Sequence, residues 1–99
     1  MELENASEIN SRFHDVNLSA SRFERFNLSR ARFEDGTMPG VTFENANLAG
    51  AGFQNVSLVG ASIRDANLTG LSIADSNLES MRIEGVRVTD LLALWKEHR

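Results

Sequence analysis

The side chains that could do chemistry in this chain are two histidines and fourteen carboxylates, and there is no cysteine. Three of the carboxylates, Asp15, Asp35 and Asp75, fall on one series with a spacing of twenty, and Asn55 fills the remaining place. His14 and Glu34 are also twenty apart, and Gln54 and Ala74 continue their series. Paired carboxylates serve acid–base chemistry or bind hard cations, and a histidine beside a carboxylate suggests a general base or half of a metal site. Each reading has a plainer rival. Perturbed pKa values need burial, and exposed turn residues offer no cleft to supply it. No third ligand joins His14 and Glu34, so His14 reads as a solvent-exposed side chain, while His98 stands where it complements a helix C-terminus. A glycine-rich phosphate loop, a nucleophile elbow and a paired His/Cys metal set are all missing from the sequence. No catalytic, cofactor-binding or metal-ligating residue is assigned. The chain reads as a non-enzyme.

A shorter and stricter spacing runs through the same chain. From Ser11 to Val88 every fifth residue is large and apolar, with no insertion in the register. The series is Phe13, Leu18, Phe23, Leu28, Phe33, Met38, Phe43, Leu48, Phe53, Leu58, Ile63, Leu68, Ile73, Leu78, Ile83 and Val88. A period of five is neither that of an amphipathic helix nor that of a half-buried strand, and a fixed short repeat means a solenoid. Two residues before each large side chain stands a usually small one, among them Ser21, Ala31, Val41, Ala51, Ala61 and Val86. An extended triplet thus alternates in, out, in, and the last two residues of each unit turn a corner. Phe26, Leu71 and Met81 are bulkier than the rule at their inward positions, and are read as packing residues. Asn17, Asn27, Asn47, Asn67 and Asn77 each precede a leucine, where asparagine can hydrogen-bond local backbone.

Units such as Ala46-Asn47-Leu48-Ala49-Gly50 and Ala66-Asn67-Leu68-Thr69-Gly70 resemble the A(D/N)LXX consensus of the pentapeptide repeat family. The resemblance covers about four-fifths of the chain and implies an all-β solenoid, a right-handed quadrilateral β-helix with four pentapeptides per coil and about four coils. With twenty residues per coil, Phe13, Phe33, Phe53 and Ile73 stack on one face, and Phe23, Phe43, Ile63 and Ile83 on the opposite one. Leu18, Met38, Leu58 and Leu78 line a third face; Leu28, Leu48, Leu68 and Val88 line the fourth.

Both ends depart from the repeat. Residues 1–10 place Glu8 on a core position, so this segment is expected to be irregular. Residues 11–88 form the repeat domain, and residues 89–99 switch to helical spacing, with Thr89 as N-cap and Lys96, His98 and Arg99 in the last turn. Leu91, Leu92 and Trp95 form an apolar stripe with Val88, and the short C-terminal α-helix is expected to cap the last coil over Leu71, Leu78, Met81 and Ile83, or to be shared between two chains.

The 99 residues fit one domain of net charge −4, which disfavours direct binding of nucleic acid. No stretch approaches a membrane span and no apolar leader opens the chain, so a soluble cytoplasmic protein of bacterial type is expected. A protein-binding or scaffolding role with an unidentified protein partner leads, with a homodimer as the expected assembly. Two alternatives stand beside it. Some members of the family, the quinolone-resistance proteins, bind type II topoisomerases by mimicking DNA, which demands a concentrated negative stripe. Here the Phe13 face sets Arg12 and Arg32 against Asp15, Glu34, Asp35 and Asp75, and the Phe23 face balances Arg22, Arg25, Arg64 and Arg82 against Glu24, Glu44, Asp65 and Glu84. That dilution, and the lack of projecting loops, count against mimicry. An antitoxin or immunity-type binder is the other alternative.

Overall fold

The computed structural model describes residues 2–4, as backbone, and residues 10–97. Each five-residue unit turns through a corner whose residue has positive φ. At every fifth position from Asn10 to Ser80 φ lies between 50° and 72°, a region that L-residues enter only at some cost. The corners are of two kinds. At residues 20, 30, 40, 50, 60, 70 and 80 they close four-residue turns, as in Ala51 N–H to Leu48 C=O at 3.0 Å and Ala61 N–H to Leu58 C=O at 2.9 Å. Positive φ at the third residue is the position that type II turns give to glycine, and Gly40, Gly50, Gly60 and Gly70 occupy it. The intervening corners are open bends and carry Asp15, Asp35, Asn45, Asn55, Asp65 and Asp75, the side chains that tolerate this region best after glycine. The asparagines before the leucines then lock the closed turns. Asn47 Oδ1 accepts the Ala49 N–H at 3.0 Å, and Asn67 Oδ1 accepts both the N–H and the hydroxyl of Thr69 at 3.1 and 2.8 Å.

Four such corners close a coil, and the coils stack as parallel strands. One sheet runs β1 (Glu2–Glu4), β3 (Arg22–Glu24), β5 (Thr42–Glu44), β7 (Ser62–Arg64), β9 (Arg82–Ile83) and β10 (Val86–Arg87). The opposite sheet runs β2 (Arg12–His14), β4 (Arg32–Glu34), β6 (Gly52–Gln54) and β8 (Ser72–Ala74). The pairing sets Phe13 on Phe33, Phe53 and Ile73, and Phe23 on Phe43, Ile63 and Ile83. The two remaining faces are single bridges, Asn17 to Thr37 to Ser57 to Asn77 and Asn27 to Asn47 to Asn67. The result is a four-sided β-helix.

Two inward positions per unit fill its narrow bore. Phe13, Phe33 and Phe53 stack nearly parallel with ring centroids 4.7 and 4.6 Å apart, about the spacing of neighbouring strands. Phe43 meets Phe33 and Phe53 edge-on across the bore at 6.3 and 5.9 Å. Quadrupole repulsion disfavours eclipsed sandwiches, and edge-on contacts between columns add attraction without extra volume. Phe26 packs edge-on against Phe23 at 5.4 Å, and Met81 is buried. Of the sixteen large residues, Leu18, Phe23, Leu28, Phe33, Met38, Phe43, Leu48, Phe53, Leu58, Ile63 and Val88 are buried. Phe13, Leu68, Ile73, Leu78 and Ile83 are half-buried, because they lie toward the ends of the stack.

The ends differ from the sequence expectation. Glu2–Glu4, in the segment expected to be irregular, forms β1 and pairs Leu3 with Phe23, so the ladder extends further toward the N-terminus; Glu8 lies outside the described residues. At the other end Glu84 and Gly85 both have positive φ, and a two-residue hairpin folds β10 back antiparallel onto β9. This hairpin takes the place of a next unit. Val86, expected inward, is 45% exposed. The helix α1 runs Val88–Glu97, so Thr89 lies inside it rather than capping it, and Asp90 in its first turn is bonded by Arg87 at 3.1 Å. His98 and Arg99 lie outside the described residues. Only Val88 of α1 is buried. Leu91, Leu92 and Trp95 are 44%, 46% and 63% exposed, so the stripe expected to be covered is not; of the expected floor Leu71, Leu78 and Ile83 are half-buried and Met81 is fully buried.

Leu48→Asp places an unpaired carboxylate at a fully buried mid-stack position, a change that costs several kcal/mol, and is expected to abolish cooperative thermal unfolding; a melt like that of wild type would mean the register is misassigned. Ala20 is a left-handed corner with φ 57° and only a methyl to lose. Ala20→Gly is therefore expected to stabilise the chain by about 0.5–1 kcal/mol, read by chemical denaturation, after the entropy gained by the unfolded chain is deducted. A loss of stability would show that the corner is not strained.

Candidate functional site

Outward side chains are displayed in straight columns by the stack, so the chemistry of each face follows from short-range pairing along and across coils. On the β2–β4–β6–β8 face the two outer columns are Arg12, Arg32, Gly52, Ser72 and His14, Glu34, Gln54, Ala74. The charges sit in the first two of these coils. Arg12 Nε donates to Glu34 Oε1 and Arg32 Nη2 lies 3.6 Å from Glu34 Oε2. His14, in register with Glu34 on the backbone, instead places Nε2 3.1 Å from Asp35 Oδ2 on the corner. Asn55 donates to Asp35 Oδ1 at 2.6 Å. Arg12 thus takes the carboxylate that the twenty-residue spacing assigned to His14. Spacing gave no sign of this, since His14 too leaves its register partner.

These contacts hold both carboxyls below their ordinary values. For Glu34 the hydrogen bond from Arg12 is the main cause, opposed by partial desolvation and aided by the charges of Arg12, Arg32 and His14. For Asp35 the bond from Asn55 leads, again opposed by desolvation, with His14 adding to it. That is the pattern of carboxylates kept ionised, the opposite of what a general acid needs. Among the described residues no three His, Asp or Glu side chains converge on one point. Asp15, Asp35 and Asp75 are all left-handed corner residues, so their alignment is accounted for by the backbone they serve.

The opposite face is laced with ion pairs: Arg22 reaches Glu24 at 2.8 Å and Glu44 at 3.5 Å, and Arg25 reaches Glu24 at 3.1 Å. Such exposed pairs contribute about 0–1 kcal/mol each. They fix register and neutralise the face.

Among the described residues, an exposed helix and a groove stand out beside this pairing. One is α1, where Leu91, Leu92, Leu94 and Trp95 stand exposed beside Val86. Leu91, Leu92 and Trp95 were legible in the sequence as a stripe, though as covered residues. The other is a shallow groove of about 450 Å³ on the β2–β4–β6–β8 face, bordered by Arg30, Arg32, Glu34 and Gln54 over a floor that includes Gly52, Ala51 and Ala74. The groove was not legible from the repeat, in which outward positions are interchangeable. Its signal was Gly52, the one glycine standing at the outward position that opens a strand triplet.

The stacked pentapeptides, their left-handed corners and the aromatic columns define a class. The profile of the family described as Pentapeptide repeat region matches residues 4–87, and the chain belongs to the pentapeptide repeat family, whose fold is the right-handed quadrilateral β-helix. Among solved structures it is similar to HetL, a pentapeptide repeat protein involved in heterocyst differentiation regulation from the cyanobacterium Nostoc sp. strain PCC 7120, at 21% identity and a TM-score of 0.53 over 87% of this chain. The chain spans 42% of the length of HetL, and the likeness is one of fold. Weaker matches are a pentapeptide repeat protein from the cyanobacterium Cyanothece 51142, at 15% identity and a TM-score of 0.34 over 87% of this chain and 86% of that one. A plasmid-mediated fluoroquinolone resistance protein, QnrB1, matches at 12% identity and a TM-score of 0.25 over 97% and 88%. No curated protein matches the chain in sequence.

Both carboxyls titrate lower in the folded chain than in the unfolded one, so their ionised pairs favour folding above the ordinary carboxylate range, and that contribution disappears as pH falls through the lowered folded values. Wild type is therefore expected to melt at a slightly higher temperature than a Glu34→Gln, Asp35→Asn double variant at pH 7, and at the same temperature at about pH 2. A gap that persists unchanged in acid would show that packing, not charge, separates the two.

Proposed function

We propose that this chain is a non-enzymatic protein-binding or scaffolding solenoid that works as a homodimer in the bacterial cytoplasm. The observation that carries this reading is the exposure of α1. Four large apolar side chains of one helix are 44% to 63% exposed, and Leu68, Leu71, Ile73 and Leu78 toward the same end of the stack are only half-buried. Contiguous apolar surface of this kind on a soluble chain marks an interaction site. A second copy supplies the same surface in return, which a two-fold interface requires. Among the described residues no helix is long and apolar enough to cross a membrane, and the net charge of −4 gives little for nucleic acid to bind. The partner is a protein met by the walls of the rod, in the manner of a scaffold or of an antitoxin or immunity-type binder. Modulation of a type II topoisomerase by DNA mimicry has less support, since arginines interrupt the carboxylates on both charged faces.

Sedimentation over a concentration series tests the assembly. Wild type is expected to be dimeric at high micromolar concentration, with Trp95 emission shifting to the blue as dimer forms. Leu92→Glu is expected to be monomeric with an unchanged far-ultraviolet spectrum. A wild-type chain that stays monomeric throughout would remove the homodimer from the proposal.

A further inference from the structure

We infer that the groove over Gly52 on the β2–β4–β6–β8 face binds a short extended segment of an acidic partner protein, with a carboxylate seated against Arg30 and Arg32. The inference rests on the protein-binding reading above and names the chemistry of the partner.

Gly52 is the first pointer. It is the opening residue of β6, yet its φ lies outside the left-handed region and a Cβ built on it meets nothing within 4 Å. Neither backbone conformation nor crowding inside this chain calls for glycine there. Glycine weakens a strand, and its lack of a side chain leaves the backbone open to close approach by another chain. The corner glycines are different, since Gly50 and Gly70 have φ of 70° and 72°.

Charge is the second pointer and is independent of the first. The stem of Arg30 lies over Gly50, where a Cβ would come within 3.1 Å of its Cγ, and its Nε donates to Asn10 Oδ1 at 2.8 Å. The guanidinium is thereby held at the rim, and no described residue takes a hydrogen bond from its terminal nitrogens. Arg32 is 65% exposed and stands 3.6 Å from Glu34, whose carboxylate is hydrogen-bonded to Arg12. Two guanidinium groups against one engaged carboxylate leave the groove cationic in a chain of net charge −4. Arginine forks match carboxylates in a bidentate manner.

Shape sets the rest. From Arg32 past Gly52 to Ser72 the groove spans two coil spacings, about 10 Å, which is the length of about three extended residues. Gln54 and Ser72 offer an amide and a hydroxyl to a peptide backbone lying between them.

The test uses the full chain and two fluorescein-labelled peptides, one of alternating glutamate and glycine and one of alternating glutamine and glycine, read by fluorescence anisotropy. Wild type is expected to bind the acidic peptide, with affinity falling as salt rises, and to bind the glutamine peptide at least tenfold more weakly. Gly52→Trp fills the groove at an open, unstrained position without lowering the thermal midpoint, and Arg32→Glu reverses the rim. Each is expected to weaken acidic-peptide binding at least tenfold, while Arg64→Glu on the opposite face leaves it unchanged. Equal binding of both peptides, no binding, or full binding by Gly52→Trp overturns the assignment. In that event, capture of the same lysate proteins by wild type and Gly52→Trp, lost in neither, leaves the protein-binding reading standing on another face. Capture by neither removes that reading as well.

Discussion

Everything in this molecule depends on a left-handed residue at every fifth position. A chain that must enter positive φ once in five residues cannot propagate a helix or a long strand, so each unit is a three-residue extended piece and a corner. Four corners return the chain to its starting side, and only then can the N–H and C=O groups of one coil meet those of the next, as Leu48 meets Asn67 at 2.8 Å. Backbone polar groups satisfied between coils are what allow so narrow a bore to exclude water, and the aromatic columns follow from the same spacing. The cost of the corners is spread over the residues best able to bear it. Glycine takes closed turns and Asp or Asn the open bends, with Ala20, Arg25, Arg30 and Ser80 as the less comfortable occupants.

This explains which parts of the fold were legible in the sequence. The period is one local rule repeated without interruption and can be read from the chain directly; the four-sided coil came with the resemblance to the family, and the faces and vertical register follow once it is granted. Phe13 over Phe33 and Asn27 over Asn47 needed only counting. The ends were not legible because they break the rule by geometry rather than by composition. Gly85 and Val86 continue the sequence phase well enough, but Glu84 and Gly85 both turn left-handed and reverse the strand instead of advancing it. α1 follows that reversal, and a stripe that looked like a lid is left exposed. At the start, β1 extends the ladder from a segment whose composition gave little sign of it.

The charged surface was legible as columns and not as pairs. Spacing predicts which backbones are neighbours; side-chain length and reach decide which groups meet. His14 and Glu34 share a register position, yet Arg12 reaches Glu34 and His14 turns to the corner at Asp35. An ion pair between flexible side chains on a flat wall is decided by differences of about 1 kcal/mol or less, far below what a repeat pattern encodes.

A solenoid separates folding from function more cleanly than a globule does. Inward and corner positions carry the fold, so an outward residue is under little structural demand, and its identity can answer to something outside the chain. Departures from the repeat at outward positions are therefore the informative ones, and they divide in two. Some are absorbed by the protein itself, as the interleaved arginines are absorbed by their carboxylates and the corner aspartates by their backbone. The others have no such account: a strand glycine with open space around it, and a helix that shows its apolar residues to solvent. In a fold this regular, a residue that costs stability and serves nothing within the chain is an argument for a second molecule.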